Sequence, residues 1–400
     1  LGSSDHADCP VRDYTTLRPP APAMTAFHEM DEHRAHARPA MRTEDAGHYW
    51  VFTDHGAVRD GLRQADLWSS SVVFPFDPEP EHVMVPIQLD GDQHTKWRRL
   101  LGEWFTPSRV RALRDEQRSI ATALVDDLRG RGGCEYLSEV AKVFTSTVFR
   151  PIMGVAREDL GKFLEWTDGL HFRDDDAERA REIQTAAAAE MTAYFAELLA
   201  HRRAHPDPDR HDIVSAAARW EIDGARPSEE ELTNCLLTVL GAALETTASQ
   251  LTWTMYHLAT HPGDRRRIVH EPALVPRMVE ESMRVYPIAT PTRKATAHTD
   301  FHGCPVKAGD VAVFSLASAG RDEQAYPHPT EVDLDRPETR HLSFGAGRHT
   351  CVGAHLARQE MTILLEEWHR RIPQYELVET PRERASMIWT LDELRLRWPT

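Results

Sequence analysis

Hydrophobic and polar positions alternate in two distinct rhythms along this chain. Over Ala40–Thr53 and again over Lys294–Ser318 they change every residue or two, around turn signals at Asp45-Ala-Gly47, His302-Gly303 and Ala308-Gly-Asp310, so short strands are predicted there. Elsewhere the apolar positions recur at helical spacing. The longest such stretch opens at Ser228-Glu-Glu-Glu231, a capping box, and meets no breaker until His261-Pro-Gly263. At 1.5 Å per residue this helix is roughly 45 to 50 Å long. Its middle, Leu236 to Ala248, is apolar on nearly every face, which predicts burial all round. Glu245, Thr246 and Thr247 interrupt that apolar run, and polar groups in such a place need partners or a task. Two further helices are predicted, Ala273–Tyr286, closed by Pro287, and Ala354–Ile372, opening directly after Gly353. The pattern is mainly α with small antiparallel sheets.

Composition narrows the classes. Charged residues make up 28% of 400 residues and the net charge is -16, which argues against nucleic acid as a partner because phosphate contacts need a basic face. No apolar run reaches transmembrane length, and the N-terminus lacks a basic start and an apolar stretch, so a cytoplasmic protein with no membrane partner is expected. A chain opening on Leu1 is expected to be trimmed or to carry a remnant. No repeat or Gly/Ser linker divides it, so one domain over 1–400 is expected, with about residues 1–20 flexible. Cys9, Cys134, Cys235, Cys304 and Cys351 are scattered, odd in number and without C-x-x-C spacing, which fits a reducing compartment.

Candidate chemistry concentrates in Phe344-Gly-Ala-Gly-Arg-His-Thr-Cys351-Val-Gly353. Here a cysteine sits at the mouth of a helix behind two glycines and the pair Arg348-His349. Helix-start amides and positive neighbours favour a thiolate. Three readings stay open on the residues alone: a structural cysteine, a nucleophile, or a metal thiolate. Gly345 and Gly347 do not continue into a dinucleotide loop, because the next glycine is missing at the required spacing. Elsewhere, Glu281 and Arg284 stand three apart on a helix face. His201 and His205 have zinc-like spacing, but Arg202, Arg203 and the following Pro-Asp-Pro point to a solvated helix end.

The stretch Phe-Gly-x-Gly-x-His-x-Cys-x-Gly resembles the haem-binding loop of the cytochrome P-450 family at every fixed position. The resemblance extends in order through Asp90-Gly-Asp-Gln-His94-Thr-Lys-Trp-Arg98, Glu245-Thr246, Glu281-x-x-Arg284, Arg293 and Arg336. It implies the cytochrome P-450 fold, with haem between the long central helix and the cysteine-loop helix. It implies Cys351 as proximal ligand of the haem iron, with Phe344, Gly345 and Gly347 shaping the loop. The same resemblance assigns His94, Arg98, Arg293 and His349 to the haem carboxylates, and Glu245 and Thr246 to proton delivery during dioxygen activation. Glu281, Arg284 and Arg336 would form a structural ion cluster. One departure stands out: relatives commonly carry glycine where this chain has Ala243, and the added methyl is expected to narrow the oxygen groove.

The implied cofactor is haem b, with dioxygen as co-substrate. The implied activity is that of a bacterial-type haem-thiolate monooxygenase acting on a small hydrophobic or aromatic molecule. Substrate contacts are expected in Ser70–Pro86, at Leu170, Phe172, Leu240 and Leu244, at Ile288–Thr290 and at Met387–Trp389. Nothing in the chain serves as a flavin or iron-sulfur domain, so a separate ferredoxin or flavodoxin with its reductase is the expected electron donor. Arg99, Arg109, Arg111, Arg348 and Arg358 are candidates to steer it. Two other readings are a peroxide-driven or oxidative-coupling enzyme with the same haem, and a non-catalytic haem sensor or carrier.

Overall fold

The computed structural model describes residues 9–77, 79, 83–170, 172 and 176–400. A 32-residue central helix, Glu229–Thr260, threads the molecule. It starts where the capping box requires: Glu231 N–H donates to Ser228 Oγ at 3.1 Å, and Ser228 N–H donates to Glu231 Oε2 at 2.8 Å. Its first half packs in one apolar core with the helices Leu160–Leu170 and Ala177–Ala204, through Leu232, Leu236, Val239, Leu240 and Leu244. Its second half, with Leu251, Trp253 and Leu258, packs in another core with Arg114–Leu128, Val275–Val285 and Ala354–Arg371. A helix shared by two cores is a rigid support. The partly or fully exposed positions in its middle are Gly241, Ala242, Ala243 and Thr246.

In the larger sheet three of the four pairings are antiparallel as expected and one departs. Its strands run in the order Ala40–Thr43, Tyr49–Phe52, Val311–Phe314, Thr292–Ala295, Trp68–Ser69. The central pairing, Trp50 with Ala312 through Phe52 with Phe314, is parallel. Only the neighbouring hairpins are legible in local sequence; a parallel pair needs a long crossover that leaves no local signature. The turn at His302-Gly303 forms as expected, with φ of 53° and 85°, between the antiparallel strands Thr299–Phe301 and Cys304–Val306. Ser315–Ser318, expected in the strand-rich stretch, instead turns into the short helix Leu316–Ala319, capped when Ser318 N–H donates to Ser315 Oγ.

Residues 1–8 lie outside the described residues, but residues 9–20 follow the body closely. Arg12 N–H donates to Arg42 O, Arg42 N–H to Pro10 O, and Tyr14 and Thr16 are buried. Cys9 is joined to Cys304 by a disulfide spanning 295 residues of sequence, where the scattered cysteines gave no sign of a pair. Among the described residues, no helix is long and apolar enough to cross a membrane.

Candidate active site

The cysteine loop is shaped by its own backbone. Gly345 and Gly347 take φ of 73° and 74°, a region that costs other residues about 1–2 kcal/mol. Gly347 is constrained twice over, because a Cβ there would stand 2.9 Å from both Arg63 Cα and Leu62 O. The loop closes when Cys351 N–H donates to Phe344 O at 2.8 Å and Thr350 N–H to Gly347 O at 3.2 Å. Gly353 then ends it and the helix Ala354–Arg371 begins.

Cys351 sits at this mouth with an exposed side chain, whereas Cys134 and Cys235 are buried. Its thiol is crowded by protein on most sides, and that burial raises its pKa above the ordinary 9.0, against the pull of the Gly353 N–H, Arg98 and Arg358. The helix-start amide and the positive neighbours do favour the thiolate, as expected. Desolvation outweighs them in the polypeptide alone.

The structure brings the four expected cations together beside this loop. Arg98 Nη2 donates to Thr350 O at 2.5 Å, one residue from the cysteine. The His94 and His349 rings stack with centroids 3.9 Å apart. Arg293 Nη1 donates to the neighbouring Thr292 carbonyl at 2.7 Å. Burial, with His349 and Arg98 close by, pushes His94 down to about 4, so its imidazole is neutral at pH 7. Burial lowers Arg293 to about 10, which still leaves it charged. Near them lies Asp90, whose Oδ1 is 3.6 Å from His349 Nε2. Burial works to raise Asp90, but His349 and the bonds from Ser69 and Ser70 prevail and hold it at about 2.

The central helix presents Thr246, which donates from Oγ1 to Ala242 O at 2.7 Å, the back-bond to the carbonyl four residues earlier. Glu245 lies beside it but buried. Its Oε1 is 3.5 Å from Ser249 Oγ and its Oε2 is 3.9 Å from Lys142 Nζ. Lys142 was not anticipated from sequence, since it lies about a hundred residues away with no local pattern around it.

Glu281, Arg284 and Arg336 form one buried cluster. Arg284 Nε and Nη2 donate to the two Glu281 oxygens at 2.9 and 2.8 Å, and Arg336 Nε donates at 3.0 Å. Arg284 also donates to the carbonyls of Gly320, Pro329 and Glu331, so it fastens the helix Val275–Val285 to the segment leading into the cysteine loop. A second anchor escaped sequence reading. Glu280 accepts two bonds from Arg358, at 2.6 and 3.0 Å, and lies 3.1 Å from His341 Nε2, while the Arg358 guanidinium covers the Phe344 ring at 4.4 Å. Its only advance sign was a second acid next to Glu281. Arg358, expected among the cations that could steer an electron donor, is paired with Glu280 and held against Phe344. Arg109, another of that set, lies over Trp104 at 4.3 Å.

Several expected substrate contacts are not brought to an open surface. Leu240 and Leu244 are packed in a core, and Trp389 is buried against Phe27 at 4.8 Å, its carbonyl accepting from Trp253 Nε1. The chain around it does meet Ile288–Thr290: Trp389 N–H donates to Ile288 O and Thr290 N–H to Met387 O. Residues 78 and 80–82 of the stretch Ser70–Pro86 lie outside the described residues. His201 and His205 stack at a helix end, and no group of three metal-ligating residues occurs among the described residues.

Comparison with known proteins agrees with this arrangement. The cytochrome P450 family description matches residues 171–371. The probable cytochrome P450 127A1 of Sinorhizobium fredii is 31% identical over 361 residues, covering 89% of this chain and 85% of that protein. The cytochrome P450 monooxygenase PikC of Streptomyces venezuelae is 31% identical, covering 100% of this chain and 93% of its own length. The crystal structure of CYP101J2 superposes with a TM-score of 0.87 at 26% identity, over 98% of this chain and 97% of that one. Fold, ordered motifs and relatives agree that this chain belongs to the cytochrome P450 family and is one of its monooxygenases.

Proposed function

We propose that the chain, as one haem domain, uses dioxygen to hydroxylate or similarly oxidise a small, largely hydrophobic organic molecule, with electrons from a separate ferredoxin or flavodoxin. The observation that carries this reading is the gathering of Arg98, Arg293, His94 and His349 beside the exposed Cys351 thiol, with Asp90 as the nearby carboxylate. Two half-buried guanidiniums whose side-chain bonds go to backbone carbonyls are poorly compensated. A pair of carboxylates such as those of haem b fits them, with the two neutral imidazoles adding N–H donors. Among the described residues Cys351 is the free cysteine that is exposed, and so the thiol open to ligation by iron.

When bound, haem supplies the iron at which dioxygen is reduced and from which one oxygen atom is transferred. The chain's own residues divide the remaining work. Cys351 Sγ holds the metal, with the Gly353 N–H tempering the basicity of the sulfur. Thr246 Oγ1 gives up its bond to Ala242 O and orders water, and Glu245 supplies protons to that water as a general acid. The Ala243 methyl narrows the same groove. Apolar side chains at Phe76, Val83 and Ile87 are 41%, 40% and 38% exposed, and support a hydrophobic substrate entering past this segment.

The test is spectroscopic and catalytic. The reduced protein with carbon monoxide should give the thiolate-ligated difference spectrum, and Cys351→Ser should abolish it while haem absorption persists. Compounds that shift the haem to high spin should be oxidised with NADH and a surrogate ferredoxin system. Turnover with hydrogen peroxide alone, and none with the ferredoxin system, would refute the dioxygen reading.

A further inference from the structure

A buried carboxylate is expensive unless hydrogen bonds or a cation compensate it. Glu245 is 8% exposed at its side chain, and its hydrogen bonding is thin. Ser249 Oγ is 3.5 Å from Oε1, and the same hydroxyl lies 3.1 Å from Thr390 Oγ1, so its single proton is contested. The compensating charge is Lys142 Nζ. This ammonium is 3.9 Å from Glu245 Oε2, too far for a hydrogen bond, and 2.5 Å from Asp168 Oδ1, a direct one. One ammonium therefore serves two acids. Side-chain exposure falls from 60% at Asp168 to 20% at Lys142 and 8% at Glu245, a line from solvent to the central helix.

We propose that Lys142 is a positioning residue that holds the Glu245 carboxylate, and that Asp168 sets the strength of this hold by competing for the same ammonium. The proposal rests on the proton-delivery reading of Glu245 given above. Its three members come from three helices: Asp168 from Leu160–Leu170, Lys142 from Lys142–Met153, and Glu245 from the central helix. Lys142 opens its helix directly after the π-helical turn Leu137–Ala141, and its own N–H closes that turn onto Leu137 O. Wide turns of this kind are frequent at functional sites. Among the described residues, Lys142 is the charged group facing Glu245, and Asp168 and the strand residue Glu135 are those acting on Lys142. Ser249 and Thr390 supply the hydroxyls.

Because the two acids share one cation, removing the cation and removing the competitor should act in opposite directions. In Lys142→Met, Glu245 loses its compensation and takes up a proton more readily. In Asp168→Asn, the ammonium closes on Glu245 and the carboxylate keeps its charge to lower pH. General loss of packing would move both variants the same way.

The experiment uses the haem-loaded protein and two readouts. Difference infrared spectroscopy over a pH series follows the protonated-carboxyl band that disappears in Glu245→Gln. In parallel, the acid limb of the pH profile of product formed per NADH is recorded. Lys142→Met should raise the infrared midpoint by about one pH unit or more, as expected for a charge at this distance. Lys142→Arg should restore it, Asp168→Asn should move it downward, and the acid limb should follow each. An unchanged midpoint in Lys142→Met, or shifts of the same sign in Lys142→Met and Asp168→Asn, would overturn the proposal. If the midpoints move as expected while Glu245→Gln leaves product per NADH intact, the positioning stands and the proton-delivery reading fails.

Discussion

Glu281→Gln should destabilise the protein severely through the two arginines it strands. The wild-type carboxylate accepts five bonds: two from Arg284, one from Arg336, one from Thr339 Oγ1 at 2.9 Å and one from the Asp333 N–H at 2.9 Å. Glu281 is 1% exposed and Arg284 fully buried, so neither can turn to water. Glutamine keeps the shape but loses the charge, and points an NH2 at donors. Breaking a buried pair from one side costs about 3–5 kcal/mol. With about 2.1 cal/mol/K of unfolding entropy per residue over 400 residues, that is a Tm lower by about 4 to 6 °C. Calorimetry with and without haem, with haem content per protein, measures it. Adding Arg336→Met should recover part of the loss, because one stranded charge is then gone. Burial opposes ionisation of Glu281, but Arg284 and its other donors hold its pKa below the ordinary 4.5. Its contribution is accordingly complete above pH 4.5 and is lost as pH falls through the depressed value, so wild type and variant should converge in acid. A Tm change under about 1 °C at neutral pH, or strictly additive single variants, would refute this account.

Two further predictions concern the site. Gly347→Ala should cost more haem retention than Gly345→Ala: both bear the positive-φ penalty, but only at Gly347 would the methyl meet backbone at 2.9 Å, against 3.6 Å at Gly345. Equal haem-loss half-lives in an apomyoglobin transfer assay would contradict that. Arg293→Met should speed haem loss about tenfold or more, on the order of 1.5–3 kcal/mol for a lost charge-assisted bond, yet leave the apoprotein no less stable, because a costly buried charge has been removed. Urea unfolding of the apoprotein and haem transfer from the holoprotein separate the two effects.

What was legible in the sequence was local. Ser228 and Glu231 announce the start of the central helix because both members of a capping box lie within four residues. His302-Gly303 announces its hairpin for the same reason. Glu281 with Arg284 was visible as a pair, but not as buried, since burial comes from the Pro327–Asp333 chain folding over it. The disulfide between Cys9 and Cys304, the Arg358–Glu280 pair and the Lys142–Glu245 contact join residues about 80 to 300 apart, and no periodicity reports such distances. Leu240, Leu244 and Trp389 were placed near substrate by the resemblance alone, and no local pattern around them reports their burial.

The parallel pairing of Tyr49–Phe52 with Val311–Phe314 has a consequence for how the chain is made. The hairpin of Ala40–Thr43 and Tyr49–Phe52 emerges from the ribosome early, but its partner strand is synthesised some 260 residues later. At about 5–20 residues per second, the Tyr49–Phe52 edge waits on the order of 13 to 50 s with unpaired backbone groups. All four residues of that strand are buried in the finished fold, so the waiting edge is apolar as well as open. Recombinant yield should therefore depend on translation rate and on chaperones that cover strand edges, even for variants whose folded state is fully stable.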